Sequence, residues 1–138
     1  MDANFGSGIK DTQISDILVI ISPEGRNILR GISRAYVMNE LAPQLGLQAV
    51  EKNFEAYDVM MADEAFITGT PFCVLPVTAL NGAAIGDGQM GPVTRRLLEQ
   101  WSHNTGVDII RQIKDWNQAG GKKRAEGPSP YSFKSQAK

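Results

Sequence analysis

The sequence has few of the residues from which disulfide and metal sites are built. Its 138 residues include one cysteine, Cys73, and one histidine, His103. A lone cysteine cannot form an internal disulfide, and together with a single histidine it gives no metal-binding cluster. The sequence therefore excludes a disulfide scaffold and a Cys/His metal centre.

An excess of one charge and a long apolar run are also lacking. Lys and Arg number 14 and Asp and Glu 15, so the net charge is -1 and no strong field favours nucleic acid or a membrane surface. The longest apolar run, residues 17–21, is too short to span a bilayer. The N-terminus shows no basic-then-apolar signal pattern. We expect a cytoplasmic protein that binds neither nucleic acid nor membrane.

What is present is enough apolar sequence for one domain with a core, since 42% of the residues are hydrophobic. Apolar residues at helical spacing predict a helix over 33–45 that Gly46 ends, and Asn81-Gly82 is a strong hairpin signal. Further elements are predicted as strands at 17–22, 47–53, 65–68 and 73–80 and as helices at 56–61, from 92 and around 109–116. This mixture predicts an α/β or α+β fold around a mixed sheet.

Composition also divides the chain. Residues 1–15 are polar and are expected to be a disordered leader outside the domain. Residues 16–118 are expected to form the domain itself. From Ala119 the composition changes to Gly, Lys, Ser and Pro, so residues 119–138 are expected to be a flexible tail.

A first candidate site lies at residues 29–34, where a glycine, a hydroxyl residue and the start of the predicted helix come together. Free amides at a helix N-terminus converge on one point, and the helix dipole there favours an anion. A simple N-cap formed by Ser33 accounts for the same residues, and the segment taken alone favours this interpretation.

Two other segments allow a functional and a structural interpretation. Thr68-Gly69-Thr70 could offer amides and a hydroxyl to an anion, but the segment taken alone favours an ordinary β-turn. Residues 86–91 fit G-x-G-x-x-G before a helix, but a dinucleotide site needs a buried strand before the motif. Because the preceding residues are hairpin-like, we favour a glycine-rich loop that lets the next helix pack.

Taken in order, these segments resemble the class IV pyridoxal-phosphate aminotransferases, the branched-chain and D-amino-acid aminotransferase family. Residues 27–34 resemble the family's Leu-x-Gly-Ile-Thr-Arg, and residues 62–70 resemble its Ala-Asp-Glu-Val-Phe-x-Thr/Ser-Gly-Thr. Three more blocks follow in the family's order, at 76–77, 85–88 and 91–94. The resemblance covers residues 23 to 116. It implies the C-terminal cofactor domain of the D-amino-acid aminotransferase-like fold, a mixed sheet or pseudo-barrel with flanking helices.

The resemblance implies a cofactor site for pyridoxal phosphate at the matching residues. Leu29 is expected to pack against the pyridine ring. Beside Gly31, the amides of Ile32 and Ser33 and the Ser33 hydroxyl are expected to hold the phosphate. Thr70 is expected to add a further hydroxyl and amide to the phosphate.

The same resemblance implies that Gly69, Thr70 and Pro71 form a turn that meets the substrate carboxylate. Two positions depart from the family pattern. Pro71 stands where many relatives have alanine, and proline has no N–H to offer. Phe72 replaces a small residue and is expected to narrow the pocket.

The resemblance also indicates what this sequence lacks. The family's catalytic lysine lies further upstream of Gly-Ile-Thr than the 30 residues that precede Gly31 here, and Lys10 is at the wrong distance. A transaminase needs that amine to bind the cofactor covalently and to move a proton. We therefore expect no catalytic residue, and a truncated enzyme that is inactive by itself. The parent chemistry is amino transfer between a branched-chain or D-amino acid and a 2-oxo acid.

Two other functions stay open. Without the N-terminal domain an apolar face would be exposed and would favour self-association, which predicts a non-catalytic module that is a homodimer or a higher oligomer. Alternatively, the anion site at Ser33 and Thr70 would serve a ligand other than pyridoxal phosphate.

Overall fold

The computed structural model describes residues 18–123, with side chains as far as residue 119. The expected leader and most of the expected tail lie outside these residues. In chain order the elements are β1 (Val19–Ser22), α1 (Ile32–Tyr36), a π-helical segment (Val37–Leu41), α2 (Ala42–Gln44), β2 (Gln48–Glu51), α3 (Ala56–Met60), β3 (Ala65–Gly69), β4 (Cys73–Val77), β5 (Ala79–Leu80), β6 (Ala83–Ala84), α4 (Pro92–Thr105) and α5 (Ile109–Lys123).

The first half of the domain is a β-α-β unit. β1 and β2 pair in parallel, in a register that runs from Val19 opposite Gln48 to Ser22 opposite Glu51. The crossover is a continuous helical stretch made of α1, the π-helical segment and α2. Gly46 follows it with φ +68, which confirms the predicted stop, since glycine adopts this conformation at little cost. The carboxyl ends of both strands therefore lie at the edge where α1 begins.

The start of α1 differs from the prediction that Ser33 caps the helix. The N-cap is Gly31, with φ -69 and ψ 140, and no side chain of the described residues caps the helix. Ser33 is therefore the second residue of the helix. The prediction was wrong because the position of the first turn is set by contacts between elements. The Arg34 side chain makes these contacts with residues that are distant in sequence.

Arg34 joins α1 to the ends of both parallel strands. Its Nε donates to Ser22 Oγ at 2.7 Å, and its Nη2 donates to the Pro23 carbonyl at 2.9 Å and to Glu51 Oε1 at 2.6 Å. The hydrogen bond from Arg34, followed by one from the Gly25 amide, lowers the pKa of Glu51 below its usual value. The Glu51 side chain of this ion pair is exposed. The pair therefore contributes more to the position of α1 than to the free energy of unfolding.

The remaining strands form two antiparallel pairs. β3 and β4 pair from Ala65–Val77 to Gly69–Cys73, and β5 pairs with β6. Asn81 and Gly82 link β5 to β6 with φ of 51° and 81°, as a type I′ turn requires, so the predicted hairpin is confirmed. The strand predicted over 73–80 is interrupted at Thr78, whose carbonyl accepts from the Ile85 amide at 3.0 Å.

Strand pairs of both kinds, flanked by helices, confirm the predicted α/β class. Among residues 18–123 they form three separate two-stranded sheets rather than one mixed sheet. The core lies between the β-α-β unit, β4 and α4. Its buried apolar members are Ile20, Val37, Leu41, Ala42, Leu47, Val74, Leu97, Leu98 and Ile109.

The C-terminal helices close the core. α4 buries Leu97 completely, and Val93 and Trp101 on the predicted face pack partly buried against the core. α5 continues to Lys123, which corrects the tail expected from residue 119. An established helix gains one hydrogen bond for each added residue, so composition alone did not mark its end. None of the helices in residues 18–123 is long and apolar enough to cross a membrane.

The N-terminus of α4 is capped by a residue far away in sequence. The Glu64 carboxylate accepts from the amides of Val93 at 2.8 Å and Thr94 at 2.9 Å and from Thr94 Oγ1 at 2.8 Å. A Cβ at the N-cap residue, Gly91, would overlap the carboxyl group of Glu64. Pro92 has no N–H to satisfy, so Glu64 meets the first amides that need an acceptor.

The loop 86–91 therefore has a packing role. A Cβ at Gly86, where φ is +56, would run into the carbonyl oxygen of Asp63. The strand before the loop, β6, is two residues long and exposed, not the buried strand that a dinucleotide site requires. The interpretation as a glycine-rich packing loop is the one that the geometry supports.

Replacing Glu64 with alanine is expected to lower the free energy of unfolding by about 2 kcal/mol, because two helix amides and a buried hydroxyl lose a charged acceptor. Urea denaturation followed by circular dichroism measures the change. Asp63→Ala is the matched control, since Asp63 is an exposed neighbouring carboxylate without a hydrogen bond to α4. Equal destabilisation by the two substitutions would contradict the capping role.

Candidate functional site

Among the helices α1, α3 and α4, α1 is the one whose start has no described carboxylate that accepts a hydrogen bond from a backbone amide. Asp58 accepts from the Glu55 amide at the start of α3, and Glu64 caps α4. At α1 no described side chain caps the helix, and its first turn holds no acidic residue. The amides of Ile32 and Ser33 therefore have no acceptor within the described residues, and they lie at the positive end of the helix dipole.

Two hydroxyl groups that are available to a ligand belong to neighbouring elements. Ser33 is partly buried in the first turn of α1, and Thr70 is exposed in the turn after β3. Neither hydroxyl donates or accepts a hydrogen bond among the described residues. α1 contacts β3, the strand that ends one residue before Thr70.

Large apolar side chains stand exposed beside these donors. Leu29 is 91% and Ile32 89% accessible to solvent, so both side chains present apolar surface at the start of α1. Leu29 is the residue expected to pack against a ring, and no residue from 18 to 119 covers its side chain. Apolar surface beside a few convergent donors is the usual composition of a small-molecule site.

The turn after β3 has the form expected for it. The Phe72 amide donates to the Gly69 carbonyl at 3.3 Å, and Thr70 and Pro71 lie exposed at its tip. The Phe72 ring folds back over Gly69, where an added Cβ would lie 2.8 Å from Phe72 Cζ. A side chain at position 69 would therefore require the Phe72 ring to move. The ring lies beside the turn, and the narrowing of a substrate pocket by Phe72 stays a prediction.

Cys73, directly after this turn, is a small, partly buried residue. It has a φ of 60°, and burial raises the pKa of its thiol. A thiol whose pKa is raised holds little thiolate at neutral pH, and thiolate is the reactive form.

The donor set fits the cofactor that the family resemblance implies. A phosphate ester accepts hydrogen bonds from helix-start amides and hydroxyls, and an aromatic ring packs against an exposed branched side chain such as Leu29. Ile32, Ser33 and Thr70 supply the donors, and Gly31 places no side chain in front of them. The residues present are therefore suited to a phosphate-bearing aromatic ligand.

The sequence did not reveal a charged cleft at the carboxyl ends of β1 and β2. Its volume is about 790 Å³, and charged side chains dominate its lining. These are Glu24, Arg26, Arg30, Arg34 and Glu51. The signal that could have found it is the spacing of the three arginines, one at every fourth position.

A family described as Amino-transferase class IV matches residues 15–80. The branched-chain-amino-acid aminotransferase of Pseudomonas aeruginosa is 43% identical over 79 residues, which are 57% of this chain and 25% of that protein. A probable branched-chain-amino-acid aminotransferase of Aquifex aeolicus is 32% identical over 111 residues, 80% of this chain and 35% of that protein. The chain thus spans about a quarter to a third of the length of these relatives.

Solved structures show the same likeness. A T.th. branched-chain amino acid aminotransferase with pyridoxamine 5'-phosphate has a TM-score of 0.55 at 36% identity, over 59% of this chain and 27% of that one. The Escherichia coli branched-chain amino acid aminotransferase has a TM-score of 0.52 at 33% identity, over 56% of this chain and 26% of that one. Residues 15–80 of the chain are thus class IV aminotransferase sequence.

Proposed function

We propose that the chain is the phosphate-holding part of a branched-chain amino acid aminotransferase that uses pyridoxal phosphate. The observation that carries the proposal is the uncapped start of α1, where free amides, a free hydroxyl and exposed apolar side chains come together among the described residues. These residues fall within the segment that matches the class IV family.

Each residue contributes one interaction in this proposal. The amides of Ile32 and Ser33 and the Ser33 hydroxyl bind the phosphate, whose negative charge the α1 dipole stabilises. Thr70 adds its hydroxyl from the turn after β3, and Leu29 packs on the ring and sets its orientation. Gly31 leaves the approach open. Pyridoxal phosphate, when bound, supplies the electron sink for amino transfer.

The turn Gly69-Thr70-Pro71 faces the substrate carboxylate in this proposal. Pro71 offers no N–H, so Thr70 is the remaining donor at the tip of the turn. The Phe72 ring beside Gly69 narrows the space. The substrates are a branched-chain amino acid, the class named in the relatives' names, and a 2-oxo acid.

The phosphate site is tested with pyridoxamine 5'-phosphate, which has no aldehyde and cannot react with lysines. We expect it to shift the amide NMR signals of Ile32, Ser33 and Thr70, whereas pyridoxamine without the phosphate does not. Ser33→Ala is expected to weaken binding about tenfold, because a hydrogen bond to a charged group is lost. Ser33→Thr keeps the hydroxyl and restores binding.

Thr68→Val is the control, since Thr68 lies within β3 and outside the donor set. Binding that does not depend on the phosphate group, or that Ser33→Ala leaves unchanged, would rule out this site.

Amino transfer is expected to be absent from the chain by itself. Within residues 18–119 the lysines are Lys52, after β2, and Lys114, on α5, and neither belongs to the elements that form the site. A transaminase needs an amine there to move the proton. Incubation with pyridoxal phosphate, leucine and a 2-oxo acid should show no turnover above that of the same mixture without the chain. Turnover that depends on the chain would overturn the expectation.

Self-association is the second candidate function, and exposed apolar strand faces favour it. Val19 and Ile21 on β1 are 45% and 48% exposed. Ile67 and Leu75, which lie opposite each other in β3 and β4, are 50% and 38% exposed. Exposed apolar surface of this kind marks interaction sites. This proposal includes the homodimer or higher oligomer that is expected from the sequence. The cytoplasmic location is a separate proposal, which rests on the sequence alone.

Light scattering over a range of concentrations is expected to give at least twice the monomer mass. Ile67→Lys, which places a charge on the apolar face, is expected to shift the protein towards the monomer. Gln112→Lys adds the same charge on the exposed side of α5 and should not. A monomer at every concentration would contradict self-association.

A further inference from the structure

The cleft at the carboxyl ends of β1 and β2 contains an arginine that no described residue pairs with. Arg26 pairs with Glu24, and Arg34 pairs with Glu51 at 2.6 Å. Arg30 makes no hydrogen bond or ion pair within residues 18–119 and is only near enough to Glu51 to contribute to its lowered pKa. Three arginines against two glutamates leave the cleft one charge positive, although the whole chain has a net charge of -1.

The two glutamates are committed to their arginines. Arg34 is held by three hydrogen bonds at the strand ends, so it cannot turn towards a ligand without releasing α1. Arg30 is not held in this way, and its guanidinium presents five N–H donors and no acceptor. A Cβ added to Gly25 would lie 3.6 Å from Arg30 Nε and 3.5 Å from Glu51 Oε1. Arg30 therefore lies over the turn at Gly25, which forms one wall of the cleft.

The volume and the position of the cleft also fit a site for an anion. The volume of about 790 Å³ is that of a small-molecule site. The crevice outside the carboxyl ends of parallel strands is where ligands bind in open α/β sheets. Five of the eight residues that line the cleft are charged, which suits a small hydrophilic anion.

We infer that this cleft binds a small phosphate- or carboxylate-bearing anion through the guanidinium of Arg30, with Arg26 at its rim. Arginine matches both groups because two parallel N–H donors meet two oxygens. The cleft borders the proposed cofactor site at Gly31. The inference goes beyond that site, which uses the amides of Ile32 and Ser33 and the hydroxyl of Thr70.

The test uses inorganic phosphate and succinate as probes, with chloride at equal ionic strength as the reference, and follows amide NMR signals. We expect saturable shifts at Gly25 and Arg30 that chloride does not produce. Shifts with phosphate alone, or with succinate alone, would support the site and define which anion it takes. Shifts that never saturate, or that chloride reproduces, would overturn the inference.

Variants separate the cleft from its surroundings. Arg30→Gln is expected to weaken binding about tenfold, the loss of a charge-assisted contact. Arg95→Gln removes another exposed arginine, on α4 and outside the cleft, and is expected to change nothing. Arg26→Gln provides a second variant at the rim, with a smaller loss. Arg30→Gln that binds as tightly as the unchanged chain would refute the role of Arg30.

A double variant distinguishes this site from the proposed phosphate site. Ser33→Ala with Thr70→Val removes both hydroxyls near α1 and is expected to leave the shifts at Gly25 and Arg30 intact. If those shifts disappear in the double variant, the anion is bound at the α1 start and the cleft is not a separate site. Binding of pyridoxamine 5'-phosphate should in turn survive Arg30→Gln.

Discussion

The carboxylate of Glu64 accepts hydrogen bonds from the first free amides of α4 and from the buried Thr94 hydroxyl. Through this contact α4 is placed so that Leu97 and Leu98 enter the core beside β4 and the π-helical segment. The glycines of the preceding loop leave room for it, since Gly91 borders the carboxyl group itself. The packing of the C-terminal half thus depends on one charged group in a turn 30 residues upstream of Thr94.

The first amides of α1 need acceptors as those of α4 do, but no described side chain supplies one, and this difference creates the candidate site. A helix start has free amides that attract negative charge. At α4 the chain supplies its own carboxylate, which serves stability. At α1 the N-cap is Gly31, and no described side chain accepts from the first amides. Ser33 and Thr70 add hydroxyls that no described residue engages, so an anion can bind there without displacing one of these residues.

Ion pairs also distinguish an arginine that holds the fold together from an arginine that is available to a ligand. Arg34 makes three hydrogen bonds that join α1 to β1 and β2, so it positions the helix start on which the proposed phosphate site depends. Arg30, four residues earlier in the chain, has no such partner among the described residues and faces the cleft. The two arginines therefore serve neighbouring parts of the same edge in different roles, one in architecture and one in recognition.

The sequence by itself determined the features that depend on local backbone preference. Asn81-Gly82 forms its hairpin and Gly46 ends its helix because a positive φ costs these residues little. The order of the motif blocks also identified the family. Tertiary structure decided the rest: the place of Ser33 inside the helix, the cap from Glu64 and the position of Arg30 at the cleft. Each depends on groups far apart in sequence, because a side chain's acceptor is chosen by the packing of whole elements and not by its neighbours along the chain.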